Sequence, residues 1–347
     1  MSANWQRRWQ PLLQQWVIIS ATTAARPWSG AIVKPSTTKQ PVHDPDCYLC
    51  PRVQRAAGTT NPDYHGVYAF DNDFPTLSSR APSTQSNVDV LQTFAPAHGR
   101  CRVLCWSEKH NDTLASLSPE NMKHVAQLWK DEYVSLRTEP DVAQVLIFEN
   151  KGVEIGVSNL HAHGQIYAPS FVTDTAVSMR EAQANYAHGN NGQSLMQSMR
   201  ASEHVQSELL VEQNEHWSVI VPYAARFSYE TWIVPNRHLN SLADTSQSEL
   251  DELAIVYQRQ VQRYDLLFQR SAPNITLLYN APCDDHASNQ HWCFHLAFHP
   301  PLRDAEKLKF LAGFESGSNN IVNPLMPEDA AAALRSIPLK PVRDTPS

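Results

Sequence analysis

The N-terminal stretch MSANWQRRWQPLLQQWVIIS has no apolar run long enough for a signal-peptide core or a membrane span. A cytoplasmic protein with no membrane attachment is therefore expected. Charge is also scarce: 18% of the 347 residues are charged, and the net charge is −7. Without a basic excess the chain is not built for general nucleic-acid binding, so any phosphate binding must be local. There are only six cysteines, which excludes a disulfide scaffold at this size. Cys101, Cys105, Cys283 and Cys293 read as small buried apolar side chains. Cys47 and Cys50 form a C-x-x-C, a spacing that in a reducing compartment suits metal or redox chemistry. A redox dithiol is expected near a strand-to-helix junction, but the surrounding DPDCYLCP is rich in turn residues and shows no helical continuation. Zinc is the favoured reading over a redox pair or no metal, and a closed tetrahedral site would need two more ligands.

The length favours two units, and a weak internal repeat gives their layout. CRVLCWSEKHNDTLASLSPENMKHV reads as a strand, a loop and a helix capped by Ser118, with Pro119 in its first turn and Met122, Val125, Leu128 and Trp129 at helical spacing. ETWIVPNRHLNSLADTSQSELDEL repeats the order, with Asp244 or Thr245 as cap and Leu250, Leu253 and Ala254 as the apolar face. His110 and His238 occupy matching places. Each unit then runs through a further strand into a histidine-bearing one: VLIFENKG and HAHGQIYAPS first, ITLLYNAP and HWCFHLAFHPP second. Residues 173–213 are polar and read as helical, broken by an exposed HGNNGQ loop. Residues 82–87 are expected to form a mobile loop, and the tail after Pro338 has little to pack against.

The most informative run is His161-Ala162-His163-Gly164-Gln165. On an extended segment the two imidazoles and the amide fall on one face, because side chains alternate with a period of two. Imidazole can attack phosphorus at neutral pH, and a neighbouring amide can hydrogen-bond a phosphoryl oxygen without adding charge. The preceding FENKGVEIGVSN adds Gly152 and Gly156, which allow close backbone approach, and Asn150, Ser158 and Asn159, which offer neutral hydrogen bonds to phosphate oxygens. The run reads as a nucleotidyl-transfer site.

FENKG, GVSNLHAHGQIYA, HDPDCYLC, NPDY, FDNDFPTL, RPWSG, NQHW and KFLAGFE together resemble the galactose-1-phosphate uridylyltransferases of the histidine triad superfamily. The resemblance implies an α+β fold of tandem duplicated histidine-triad-like units, with antiparallel sheets forming a half-barrel and helices packed outside. Residues 1–175 would form the catalytic unit with the zinc site, and 176–347 a second unit carrying the hexose-binding segment. It makes His163 the nucleophile that takes the uridylyl group from UDP-glucose and passes it to galactose 1-phosphate. Gln165 becomes the donor to the phosphoryl oxygens. Hydrolase relatives carry a third histidine at the position of Gln165, so the amide favours transfer over hydrolysis. Structural zinc would be held by Cys47, Cys50, His110 and His161. Uridine and phosphate contacts carry over onto Phe70, Asn72, Asp73, Asn150, Gly156, Ser158 and Gln165, and hexose contacts onto Lys309, Phe310, Ala312 and Glu315. For Lys309 and Glu315 a solvated surface pair is the competing reading. A homodimer with shared active sites is also implied.

Four departures from the family pattern concern other sites. Some members hold iron through a glutamate and three histidines; here Met179, Tyr279, His295 and Ala297 stand at those positions, so no iron is expected. The phosphate segment ATTAARPWSG keeps Arg26 but has Thr23 where a second arginine is usual, which removes a charge-assisted contact. Phe314 replaces a tyrosine, and Asn323 stands where a glutamine is usual. The competing functions are a related phosphorylase or nucleotidyltransferase acting on an ADP-sugar or dinucleoside polyphosphate, and a weakly active sugar-nucleotide binding protein.

Overall fold

The computed structural model describes residues 5–21, 32, 39–81, 86–87 and 91–339. The N-terminus forms a hairpin of β1 (Trp5–Gln10) and β2 (Gln15–Ser20), in which Val17 and Ile19 of β2 alternate onto the buried face. There follow β3 (Tyr68–Asp71), a short pair β4 (Ser86–Asn87) and β5 (Thr93–Phe94), β6 (Gly99–Cys105), helix α1 (Pro119–Leu136), β7 (Leu146–Lys151) and β8 (His163–Pro169). Helices α2 (Asp174–Gly189) and α3 (Leu195–Ala201) lead to the second unit. It contains β9 (Leu210–Gln213), β10 (Trp217–Ile220), β11 (Thr231–Pro235), α4 (Gln247–Phe268), β12 (Asn274–Tyr279) and β13 (His295–His299). The chain continues through α5 (Gly313–Ser318), β14 (Val322–Asn323) and α6 (Pro327–Ser336).

Nine strands form one open antiparallel sheet in the order β3-β6-β8-β7-β12-β13-β11-β10-β9. Read inward from the two sides, the first unit gives β3-β6-β8-β7 and the second, inside its additional edge strand β9, gives β10-β11-β13-β12. The repeat seen in the sequence is thus a repeat of strand order. The two units' sheets are continuous because β7 and β12 pair from Asn274↔Lys151 to Tyr279↔Leu146. That pairing satisfies backbone groups on two strands that would otherwise be edges. A second sheet orders β1-β2-β14, with β14 parallel to β2.

Helices α1 and α4 pack on each other and on one face of the large sheet. Trp129 meets Tyr257 at 5.0 Å between ring centroids, and Tyr257 meets Phe298 of β13 at 5.0 Å, so one aromatic chain ties both helices to the sheet. Gly164, Ile166 and Ala168 face that core, which turns His163, Gln165 and Tyr167 to the opposite face.

Ser118 caps α1 as expected, accepting from Asn121 N–H. The cap of α4 is Ser246, not Asp244 or Thr245. The Asp244 carboxylate is spent one turn earlier, where it accepts from Ser241 N–H and closes a 3-10 turn at Leu242–Asp244, while Ser246 and Glu249 form a reciprocal capping box. Residues 173–213 are helical only in part, because Leu210–Gln213 pair with β10 as a strand. The break is placed as expected: Asn191 and Gly192 adopt φ of 54° and 80°, and both are exposed. Cys101, Cys105 and Cys293 are buried, whereas Cys283 is only half-buried. Of the expected loop at 82–87 only Ser86–Asn87 is described, paired with Thr93–Phe94, and the tail beyond Leu339 lies outside the described residues. No helix among the described residues is long and apolar enough to cross a membrane.

Candidate active site

Register places the site. His163 pairs with Cys105 and Gln165 with Val103 of β6, while Phe70 of β3 pairs with Val103 from the other side. Residues of three adjacent strands therefore share one sheet face. The His163 Nδ1–H donates to the His161 carbonyl at 2.7 Å. A carbonyl can only accept, so this contact fixes the tautomer and leaves the lone pair on Nε2. Burial holds the His163 imidazole below its usual range, which keeps it neutral and nucleophilic at physiological pH. His163, Gln165, Ser158, Phe70, Asn72 and Asp73 line one cleft of about 350 Å³. A free imidazole nitrogen, an amide on the same strand face and an apolar shelf with two polar groups suit a nucleotide whose phosphorus meets the histidine.

Behind this strand the packing is tight. A Cβ at Gly164 would overlap the ring of Trp106 and approach the Phe148 carbonyl at 3.0 Å. Trp106 is itself anchored: its Nε1–H donates to Glu149 at 3.1 Å, the other Glu149 oxygen accepts from Tyr257 at 2.9 Å, and Trp106 N–H donates to the Ala162 carbonyl at 3.3 Å. Gly164→Ala is expected to push the strand off Trp106, lowering stability by about 1–3 kcal/mol and reducing kcat through the displaced His163. Urea denaturation and turnover on the same preparation would check it, and a variant matching the parent in both would contradict the packing account.

One residue before Ala162, His161 belongs to a second, fully buried cluster with Cys47, Cys50 and His110, whose ligand atoms lie within 4.8 Å of one another. Both imidazoles turn Nδ1 inward: Cys50 Sγ lies 3.4 Å from His161 Nδ1 and 3.7 Å from His110 Nδ1, and Cys47 Sγ lies 3.9 Å from His161 Nδ1. Tetrahedral zinc with bonds of about 2.3 Å to sulfur and 2.0 Å to nitrogen requires a ligand–ligand edge of roughly 3.6 Å, so the donor set fits the ion. Outer contacts orient the rings. His161 Nε2–H donates to the Ser107 carbonyl at 2.8 Å, and His110 Nε2 lies 3.9 Å from Asp44. Burial pulls His161 down to about 4 and lowers His110, so both are neutral, as ligation needs. The C-x-x-C is thus part of a possible metal-binding group.

Family models for the N-terminal and C-terminal domains of galactose-1-phosphate uridyl transferase match residues 2–173 and 179–344. The galactose-1-phosphate uridylyltransferase of Haemophilus influenzae is 35% identical over 332 residues, covering 95% of this chain and 94% of its own. The chain belongs to the galactose-1-phosphate uridylyltransferase family. A uridylyltransferase from Rattus norvegicus is likewise 35% identical over 334 residues, covering 95% of this chain and 87% of its own. An ADP-glucose phosphorylase from Arabidopsis thaliana shares the fold at a TM-score of 0.78 and 19% identity, covering 97% of this chain and all of the other.

The other positions matched to the uridylyltransferase family are not all brought to the cleft. Asn150 lies on β7 opposite Ile275, and Gly156 ends the 3-10 turn Val153–Ile155 at φ 85°; neither lines the cleft. Arg26 and Thr23 lie outside the described residues. Lys309 is neither free nor solvated: its Nζ bonds Glu315 at 2.7 Å and the Val322 carbonyl, with the two side chains 5% and 12% exposed. Val322 is in β14, so this segment belongs to the small sheet and is absent from the cleft lining. Ala312 caps α5, and Phe310 and Phe314 are 60% and 59% exposed. Asn323 is fully buried, bonded to the Ala225 and Phe227 carbonyls.

The second unit repeats the histidine without its partner. Ala297 sits between Trp232 and Leu277 as Gln165 sits between Val103 and Phe148, which makes His295 the counterpart of His163. Its Nδ1 likewise donates to the carbonyl two residues before it, Cys293, at 3.1 Å. His295 is fully buried, and the ring of Tyr279 stacks on it at 5.0 Å. Of the four positions that the resemblance assigns to iron, His295 alone is a histidine; Met179, Tyr279 and Ala297 stand at the others.

Sequence reasoning missed Tyr48, Leu49, Ala56, Phe74 and Val103 in the cleft lining. Val103 was reachable, since Cys101, Val103 and Cys105 alternate onto the face that carries His163. Tyr48 and Leu49 are the two variable positions of the C-x-x-C, where the metal ligands draw attention away from the residues between them.

Proposed function

We propose that this chain is a UDP-glucose:hexose-1-phosphate uridylyltransferase acting by a ping-pong route through His163. The Nε2 lone pair attacks the α-phosphorus of UDP-glucose, the bond from that phosphorus to the bridging oxygen breaks, and glucose 1-phosphate leaves. A phosphate oxygen of galactose 1-phosphate then attacks the uridylyl-histidine, releasing UDP-galactose and restoring the imidazole. Gln165 donates to the phosphoryl oxygens as charge builds there. Phe70, Asn72 and Asp73 hold the uridine, and Ser158, with Asn150 and Gly156 once substrate is bound, serves the phosphates. The observation that carries the reading is the His163 Nδ1–carbonyl bond in a cleft that also holds Gln165.

Zinc is the proposed ion of the Cys47, Cys50, His110 and His161 cluster, and its role is to stiffen the strand that carries the nucleophile. The division into a catalytic unit at 1–175 and a second unit at 176–347 follows the strand repeat. Arg26 is proposed as a phosphate contact, and a homodimer is proposed in which a second copy brings the segment with Lys309, Phe310, Ala312, Phe314 and Glu315 to the cleft. The exposure of Phe310, Leu311 and Phe314 supports it. None of the six cysteines forms a disulfide, which suits a reducing compartment such as the cytoplasm.

The test is incubation with UDP-glucose labelled at the α-phosphate. An acid-labile, base-stable protein adduct is expected, discharged by galactose 1-phosphate. An adduct from ADP-glucose alone would point to the phosphorylase branch, and none from either would leave a binding protein.

A further inference from the structure

Arg55 is outside the cleft lining, yet its guanidinium engages three residues, Phe70, Asp71 and Asp73, of the segment that forms the cleft's shelf. It lies over the Phe70 ring at 4.3 Å, donates to the Asp71 carbonyl at 3.4 Å, and pairs with Asp73 Oδ1 at 3.6 Å. The other Asp73 oxygen accepts from Ala57 N–H at 3.3 Å, so the loop that carries Arg55 holds the carboxylate at both ends. The contact is largely dry: the Arg55 and Asp73 side chains are 11% and 13% exposed. Phe70 and Asp73, by contrast, face the cleft that holds His163.

We propose that Arg55 is a positioning residue for the nucleoside half of the substrate, acting through Phe70 and Asp73 without touching substrate. This rests on the uridylyl-transfer reading. Two physical effects combine. A planar cation stacked on Phe70 fixes the tilt of the ring that the base meets, which an ammonium cannot do equally well. The same charge neutralises Asp73, whose unpaired carboxylate would repel a nucleoside diphosphate entering the cleft.

The experiment is calorimetric binding of UDP to the parent, R55Q, R55K, D73N and the R55Q/D73N double variant, with melting temperatures alongside. R55Q is expected to weaken UDP by about tenfold or more, the scale of one charge-assisted contact, while R55K, which keeps the charge and loses the planar stack, falls between. Because Arg55 acts through Asp73, R55Q should cost less affinity in the D73N background than in the parent. Parent-like affinity in R55Q, or full additivity in the double variant, overturns the proposal. Should R55Q fail to fold, R55K carries the test, and unchanged UDP affinity in it is likewise fatal. A parent that binds UDP yet forms no adduct with UDP-glucose overturns the transfer reading alone; a parent that does not bind UDP overturns both.

Discussion

Replacing His163 with glycine is expected to lower turnover of UDP-glucose and galactose 1-phosphate by about four to six orders of magnitude, the range seen when a covalent nucleophile is removed. The labelled adduct should disappear with it. The loss should be chemical and not structural. The His163 side chain makes its hydrogen bond to the carbonyl of His161, two residues away, and takes no part in the cysteine–histidine cluster. A glycine in a strand interior costs up to about 1 kcal/mol in stability, so the folded protein should persist and still bind UDP. Stopped or steady-state assays on a variant of confirmed fold decide the matter, and normal turnover there would end the assignment of His163.

How much of this was legible in the sequence depended on the range of the interaction. The H-x-H-x-Q face, the Ser118 cap and the repeated strand-loop-helix order are local patterns, set by side-chain alternation and capping chemistry over a few residues. Continuity of the sheet was not legible, because the β7–β12 pairing joins strands from opposite halves and no local signal marks it. The Asp244 reading failed for a competing reason: three polar residues in a row could each cap, and the S-x-x-E spacing of Ser246 and Glu249 decided in favour of the box. The resemblance makes Lys309 and Glu315 hexose contacts, with a solvated surface pair as the competing reading; the structure ties them to each other against β14, a pairing across six residues that no local pattern marks. Arg55 carried no motif at all. Its position matters only because the chain folds back to lay it under Phe70 and Asp73.

Cys50→Ser should give the largest effect on stability. The Cys50 side chain is fully buried, and its sulfur faces both imidazoles, 3.7 Å from His110 Nδ1 and 3.4 Å from His161 Nδ1. A serine hydroxyl stays protonated and is a poor zinc ligand, so metal content should drop from about one zinc per chain toward zero. With the ion gone, His110 and His161 keep buried nitrogens whose partner is lost, and stability is expected to fall by roughly 3 kcal/mol or more. Activity should decline because less protein is folded and the strand is less rigid, leaving a residual adduct at His163 in the folded fraction. The His163→Gly variant should show the reverse, with full zinc and no adduct. The two histidines are separated by one alanine and share a strand approach, so metal analysis on the two variants side by side resolves their roles: equal zinc in Cys50→Ser and parent would remove the metal from the cluster, and lost zinc in His163→Gly would move the nucleophile into it.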